Sequence, residues 1–112
     1  MGPTYINGAV PVDSAAGVAS CDLALGNTFF LELTENITSL RMVNSTGKDG
    51  QPVFFIFHQD SVARTVTPDG TTLKYRGGAT AIPQGAGEGG YTTASGVVYG
   101  TSVQIVGTVV GA

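Results

Sequence analysis

Pro52-Val53-Phe54-Phe55-Ile56-Phe57-His58 is the most apolar run of the chain. Apolar residues at successive positions predict a strand covered on both faces, and so one central to its sheet. Upstream, Thr28-Phe29-Phe30-Leu31-Glu32-Leu33-Thr34 alternates, with Phe29, Leu31 and Leu33 on one face. After a corner at Glu35-Asn36, Ile37 to Val43 reads as a strand with Leu40 and Met42 inward and Arg41 outward. Gly17 to Leu25 is a further candidate, closed by Gly26-Asn27. Downstream, Ser61 to Thr67 alternates weakly and stops at Pro68-Asp69-Gly70, and Thr71 to Arg76 stops at Gly77-Gly78. Tyr91 to Ser95, Gly96 to Tyr99 and Ser102 to Val110 supply the closing strands.

Helical periodicity is nearly absent, and 17 glycines and five prolines leave few windows that could hold three turns of helix. Asn44 to Gly50 is dense in turn formers and predicts an exposed loop; Asp-Gly at 49–50 and 69–70 is hairpin chemistry. Residues 83–90, rich in glycine, predict a mobile loop. Residues 1–16 carry Gly2, Pro3, Gly8 and Pro11 among small residues and read as an extended arm. The expected fold is all-β: one β-sandwich or jelly-roll-like domain over residues 17–112, with about eight short antiparallel strands. Within the arm, Tyr5, Ile6, Val10 and Val12 are the candidate assembly contacts.

Five basic and eight acidic residues make the chain only 12% charged, with net charge −3, where an ordinary domain carries about 25%. Thr, Ser and Gly fill the polar positions, a surface that costs little to desolvate against a neighbour. The cations Arg41, Lys48, Arg64, Lys74 and Arg76 are scattered, so no basic stripe collects phosphates and nucleic acid is not expected as a partner. Met1-Gly2-Pro3-Thr4-Tyr5 lacks a basic region followed by an apolar run, so synthesis in a cytoplasm is expected. No apolar run approaches the ~18 residues of a membrane helix, and no membrane partner is expected. Cys21, the single cysteine, sits in a strand-like setting and reads as a small buried hydrophobe.

No motif carries catalysis. The pattern Gly85, Gly87, Gly90 matches a dinucleotide-binding spacing, but strand-like Tyr91-Thr92-Thr93 follows where a helix is needed. His58 with Asp60 and Ser61 suggests a triad on paper, yet no strained nucleophile turn is present, and a strand-end histidine bonded to a neighbour is the simpler reading. A single histidine and no close carboxylate pair give no metal site. Asn36-Ile37-Thr38 and Asn44-Ser45-Thr46 match the glycosylation acceptor but read as turn residues beside strand threonines. Tyr75, Tyr91 and Tyr99 could either pack in core and interface or line a platform for sugar rings. No enzyme, cofactor or metal is expected.

The strings Asn36 to Asn44, Phe54 to Asp60, Arg64-Thr65-Val66-Thr67-Pro68 and Tyr75-Arg76-Gly77-Gly78 together resemble a recurrent β-domain of tailed-bacteriophage structural proteins. The likeness departs where that domain carries tryptophans: Pro68 follows Thr67, and Tyr75 stands at the second tryptophan position. The resemblance implies a virion protein with no catalytic residues. With only a 16-residue arm before the module, it implies a capsid decoration (cement) protein, a homotrimer bound to the major capsid protein. The alternative is a tail-fibre, collar or spike module that binds a host glycan, with Tyr75, Tyr91 and Tyr99 as the stacking residues. Either would be assembled in the bacterial cytoplasm and found in the virion.

Overall fold

The computed structural model describes residues 9–59, 64–75, 82, 84 and 90–110. Among them are ten strands and no helix: β1 Val10–Val12, β2 Ser14–Ala15, β3 Val18–Asp22, β4 Thr28–Leu33, β5 Ile37–Val43, β6 Pro52–Gln59, β7 Val66–Pro68, β8 Leu73–Tyr75, β9 Tyr91–Tyr99 and β10 Ser102–Val110. The all-β reading holds. A six-stranded sheet has the order β1-β4-β6-β9-β10-β8, and a four-stranded sheet the order β2-β3-β5-β7.

The strands are not all antiparallel. β1 pairs with β4, β4 with β6, β3 with β5, β5 with β7 and β8 with β10 in parallel. The physical reason is the path of the chain. From β3 to β8 it alternates between the two sheets, so each strand returns beside its predecessor only after a crossover through the other sheet. Asp49-Gly50 and Asp69-Gly70, expected to turn hairpins, therefore carry the chain from one sheet to the other. Among the described residues antiparallel pairing joins β2–β3, β6–β9 and β9–β10, with a single antiparallel bridge between Val66 and Ile82.

Inward side chains of both sheets form one hydrophobic cluster, including Phe29, Leu31, Phe55 and Phe57 from the larger sheet and Ala19, Cys21, Leu40 and Met42 from the smaller. Phe55 stacks between Phe29 and Phe57, with ring centroids 6.0 Å away on either side. Leu40 and Met42 point in and Arg41 out, as their alternation predicts. Val10 to Ala15, read as part of the arm, instead enter the sheets as β1 and β2. Residues 1–8 and most of the 83–90 loop lie outside the described residues.

Tyr91 to Tyr99 is one strand rather than two, passing through Gly96 without a break. The cause lies in β10, whose register against β9 shifts between Ile105 and Gly107. This bulge brings the Gln104 carbonyl oxygen to 2.7 Å from where a Cβ on Gly96 would lie. At Gly107 a Cβ would meet only Ser95 Oγ at 3.5 Å.

Hydrogen bonds to carboxylates fix the crossovers. Asp69 Oδ1 accepts from the backbone N–H groups of Thr71, Thr72 and Leu73, and Oδ2 from the Thr72 hydroxyl. That hydroxyl oxygen in turn accepts from Met42 N at 2.9 Å, tying the turn before β8 to β5. Glu35 Oε2 accepts from Ser14 Oγ at 2.7 Å and Gly17 N at 3.1 Å. Partial burial would raise the Asp69 pKa, but its four hydrogen bonds together hold it below the ordinary value. Glu35 is lowered chiefly by the Ser14 hydroxyl, and Asp22 chiefly by the Asn44 side-chain amide.

Gly96→Ala should lower the unfolding free energy by about 1–3 kcal/mol because the clash is with backbone, while Gly107→Ala should change it by under about 1 kcal/mol; urea denaturation of both variants checks the contrast. A carboxyl whose folded pKa lies below its unfolded value binds fewer protons when folded, so acid favours unfolding. The contribution of Asp22, Glu35 and Asp69 should be complete above their ordinary values, 3.8 for Asp and 4.5 for Glu, and lost as pH falls through the lowered ones. Asp69→Asn should flatten the acid limb of stability against pH, measured by denaturant midpoints from pH 7 downward.

Candidate interaction surface

The two sheets present unlike outer faces. On the four-stranded sheet the outward residues include Ser20, Thr38 and Arg41, and Arg41 Nε donates to Ser20 Oγ at 2.9 Å. On the six-stranded sheet β6 turns Pro52, Phe54, Ile56 and His58 outward, level with Val97, Ser95, Thr93 and Tyr91 of β9. β10 adds Gln104 and, at the bulge, Val106. Phe54 is 48% exposed, Val106 58%, Tyr91 46% and Tyr99 74%. The central strand β6 is therefore covered on one face only, whereas its successive apolar residues predict cover on both.

Relief on this face comes from small residues. A depression of about 320 Å³ runs over Ser95 and Gly107 between Phe54 and Thr108. A second, of about 380 Å³, is lined by Val97, Tyr99, Gln104 and Val106. Both are shallow and mostly apolar.

Polar chemistry gathers at one end. His58 Nδ1 donates to Glu32 Oε2 at 2.9 Å, which fixes the imidazole tautomer. The Tyr91 ring stacks on His58 with centroids 4.4 Å apart. The histidine is thus bonded to a strand neighbour, β4 lying beside β6 in register Glu32–His58. Asp60 and Ser61 lie outside the described residues, as do Gly85 and Gly87 of the glycine pattern. Among the described residues no three His, Cys, Asp or Glu side chains gather as a metal site.

The structure does not bring the three tyrosines together. Tyr75 pairs in register with inward-facing Ile105 and packs against the core. Tyr91 and Tyr99 share the outer face but stand at opposite ends of β9, about 26 Å apart at the usual strand rise. Of the arm residues, Val12 is buried in the core and Val10 is half-buried against it; Tyr5 and Ile6 lie outside the described residues. Cys21 is fully buried, and burial pushes its thiol up to about 12, so it stays a protonated hydrophobe. Asn36 Oδ1 accepts from Thr65 N, and the Asn44 amide donates to Asp22 Oδ1, so both sequon asparagines hold turns.

The residues that sequence reasoning missed are Phe54, Val97, Gln104 and Val106. For Phe54 the signal was present as apolar residues at every position of 53–57, but it reads equally as a doubly buried strand; Val97, Gln104 and Val106 carry no such run. Compared with protein-family models, characterised proteins and solved structures, the chain matches none.

Neighbours on β6 test the sidedness directly. Phe55→Ala should cost about 3–5 kcal/mol, as for a core phenylalanine, and Phe54→Ala under about 1 kcal/mol. Guanidinium unfolding of the two variants, at a protein concentration low enough to keep the chain dispersed, reads the difference.

Proposed function

We propose that the chain is a non-enzymatic structural subunit that works by packing against neighbouring protein, and that its place is the head of a tailed phage. The observation that carries the first part is the open apolar face of β6, β9 and β10, with Phe54, Tyr99 and Val106 exposed on it. Folding gains little from apolar groups left in water, whereas association gains roughly 25 cal/mol per Å² of them covered. The second part rests on the resemblance over Asn36 to Gly78 to the β-domain of phage structural proteins. We read the two sheets, with their shared core, as a sandwich of that kind.

In this role the mechanism is mechanical. A subunit that binds only the assembled shell stabilises it by mass action against the pressure of packaged DNA. Sparse charge on the contact face keeps the desolvation cost small.

The second reading, a tail-fibre, collar or spike module that binds a glycan, draws on the other end of the face. There the half-exposed Tyr91 ring lies beside the Glu32–His58 pair. Aromatic rings and carboxylates grip sugars, but one face of the Tyr91 ring is already taken by His58.

Electron microscopy of intact virions carrying a gold-labelled C-terminal tag separates the two. Label at regular positions over the head is the expected result. Label confined to the tail, or absent from the particle, would overturn the head assignment.

A further inference from the structure

Two unlike charges stand at opposite corners of the open face. Glu32, on β4, is level with His58 and Tyr91 at one end. Lys74, on the edge strand β8, is level with Gln104 and Val97 at the other. Lys74 has no ion-pair partner among the described residues, and only one carboxylate oxygen of Glu32 is engaged there, by His58. Four strand spacings across the sheet and six residues along it separate the two, or about 19 Å by 20 Å at standard spacings. Between the corners the outward residues are uncharged: Phe54, Ile56, Thr93, Ser95, Val97 and Val106.

We propose that this face is a self-association surface, on which a second copy of the chain sits so that Glu32 of each copy meets Lys74 of the other. A two-fold axis lying in the face makes that exchange. It passes through β9 between Thr93 and Ser95 and runs diagonally, at about 45° to the strands, so the two sheets cross near a right angle, one of the regular modes of sheet packing. In the same register map Phe54 falls almost on the axis and meets its own counterpart. Val106 falls opposite Ile56. The corners are charge-complementary, and the apolar centre is complementary to itself, as an isologous contact requires.

The edges agree with this. Six strands of these lengths span about 600 Å² in projection before side-chain relief is counted, below the ~800 Å² per partner of a standard interface, and Phe30, outward on β4, is already covered within the chain. The alternative route, strand addition at an edge, is poorly served. Edge strands β1, β2, β7 and β8 are two or three residues long, and β1 and β7 each carry a proline. The proposal rests on reading the face as a protein contact, and holds wherever the particle is found. An isologous contact closes at two copies, where the phage resemblance implies three.

Sedimentation equilibrium of the purified chain tests it, with Phe54→Arg, Glu32→Lys and the exchange Glu32→Lys/Lys74→Glu. The wild type should sediment at twice its 11.4 kDa mass. Phe54→Arg places two guanidinium groups together on the axis and should weaken the dimer by about 100-fold or more. Glu32→Lys should weaken it about tenfold, and the exchange should recover most of that loss. Circular dichroism of each variant shows whether the fold is kept, as expected for exposed Phe54 and Lys74 and half-buried Glu32. A wild type that stays monomeric to millimolar concentration, a trimer, or an exchange variant no better than Glu32→Lys would overturn the proposal. A dimer that never appears on phage heads leaves the contact standing and removes the head assignment; a monomer that labels heads does the reverse.

Discussion

The register between β4 and β6 is the constraint on which the rest depends. It sets Phe29 beside Phe55 and Leu31 beside Phe57, and so aligns the three stacked rings at the centre of the core. A slip of one residue would exchange every inward side chain for an outward one. In most half-buried strands alternation alone forbids such a slip, because it would bury polar groups. Here it does so only in part: a slip would turn Glu32 and His58 inward, but Phe29-Phe30 and Phe54-Phe55 offer an aromatic ring to either face. The register is also held from the end of the pair. Asn27 accepts from Phe54 N through its backbone carbonyl and donates from its side-chain amide to the Pro52 carbonyl. These two bonds of Asn27 pin the start of the ladder between β4 and β6.

That register also explains the uneven legibility of the sequence. Strand positions were readable wherever polar residues punctuate them: Ile37–Val43 and Ser102–Val110 are observed where periodicity puts them. Pairing direction was not. Asp49-Gly50 and Asp69-Gly70 carry the same turn chemistry whether the chain reverses within a sheet or steps to the facing one, since both need a residue with positive φ, and Gly50 and Gly70 supply it. What makes the chain step across is non-local. Asp49 Oδ1 accepts from Gly100 N, fifty-one residues on, and Asp69 bonds reach β5 through Thr72. Gly96 was misleading for a related reason, because its absent side chain answers a bulge in the neighbouring strand.

The surface was less legible. Low charge favours a subunit that packs against neighbours, but composition singles out no face for it. The arm residues Val10 and Val12 were reasonable candidates because valine between prolines and glycines has no local core to join; the sheet edge that receives them is built by residues 29–31. The tyrosines share composition but not location, and the ladder of register pairs separates them onto two faces and two ends.

The open face then poses a physical question that folding cannot answer. Outward positions on β6, β9 and β10 are free of the core, so Thr or Ser there would serve the strands as well as Phe54, Val97 and Val106 do. The opposite outer face carries such residues, Ser20 and Thr38 among them, beside the smaller apolar Val18 and Val43. The asymmetry is therefore not a consequence of β propensity. Nor is it explained by edge protection, which falls to short strands and Pro11 and Pro68. Apolar groups kept in water lower solubility and add nothing to the core, unless something covers them. The hydrogen-bonded pair Glu32–His58 stands at the end of the face rather than its centre, the arrangement of a contact whose middle is dehydrated and whose rim stays wet. The sheet is consequently two-sided, with one side folded against its own chain and the other, on the reading proposed above, the side that a second copy would cover.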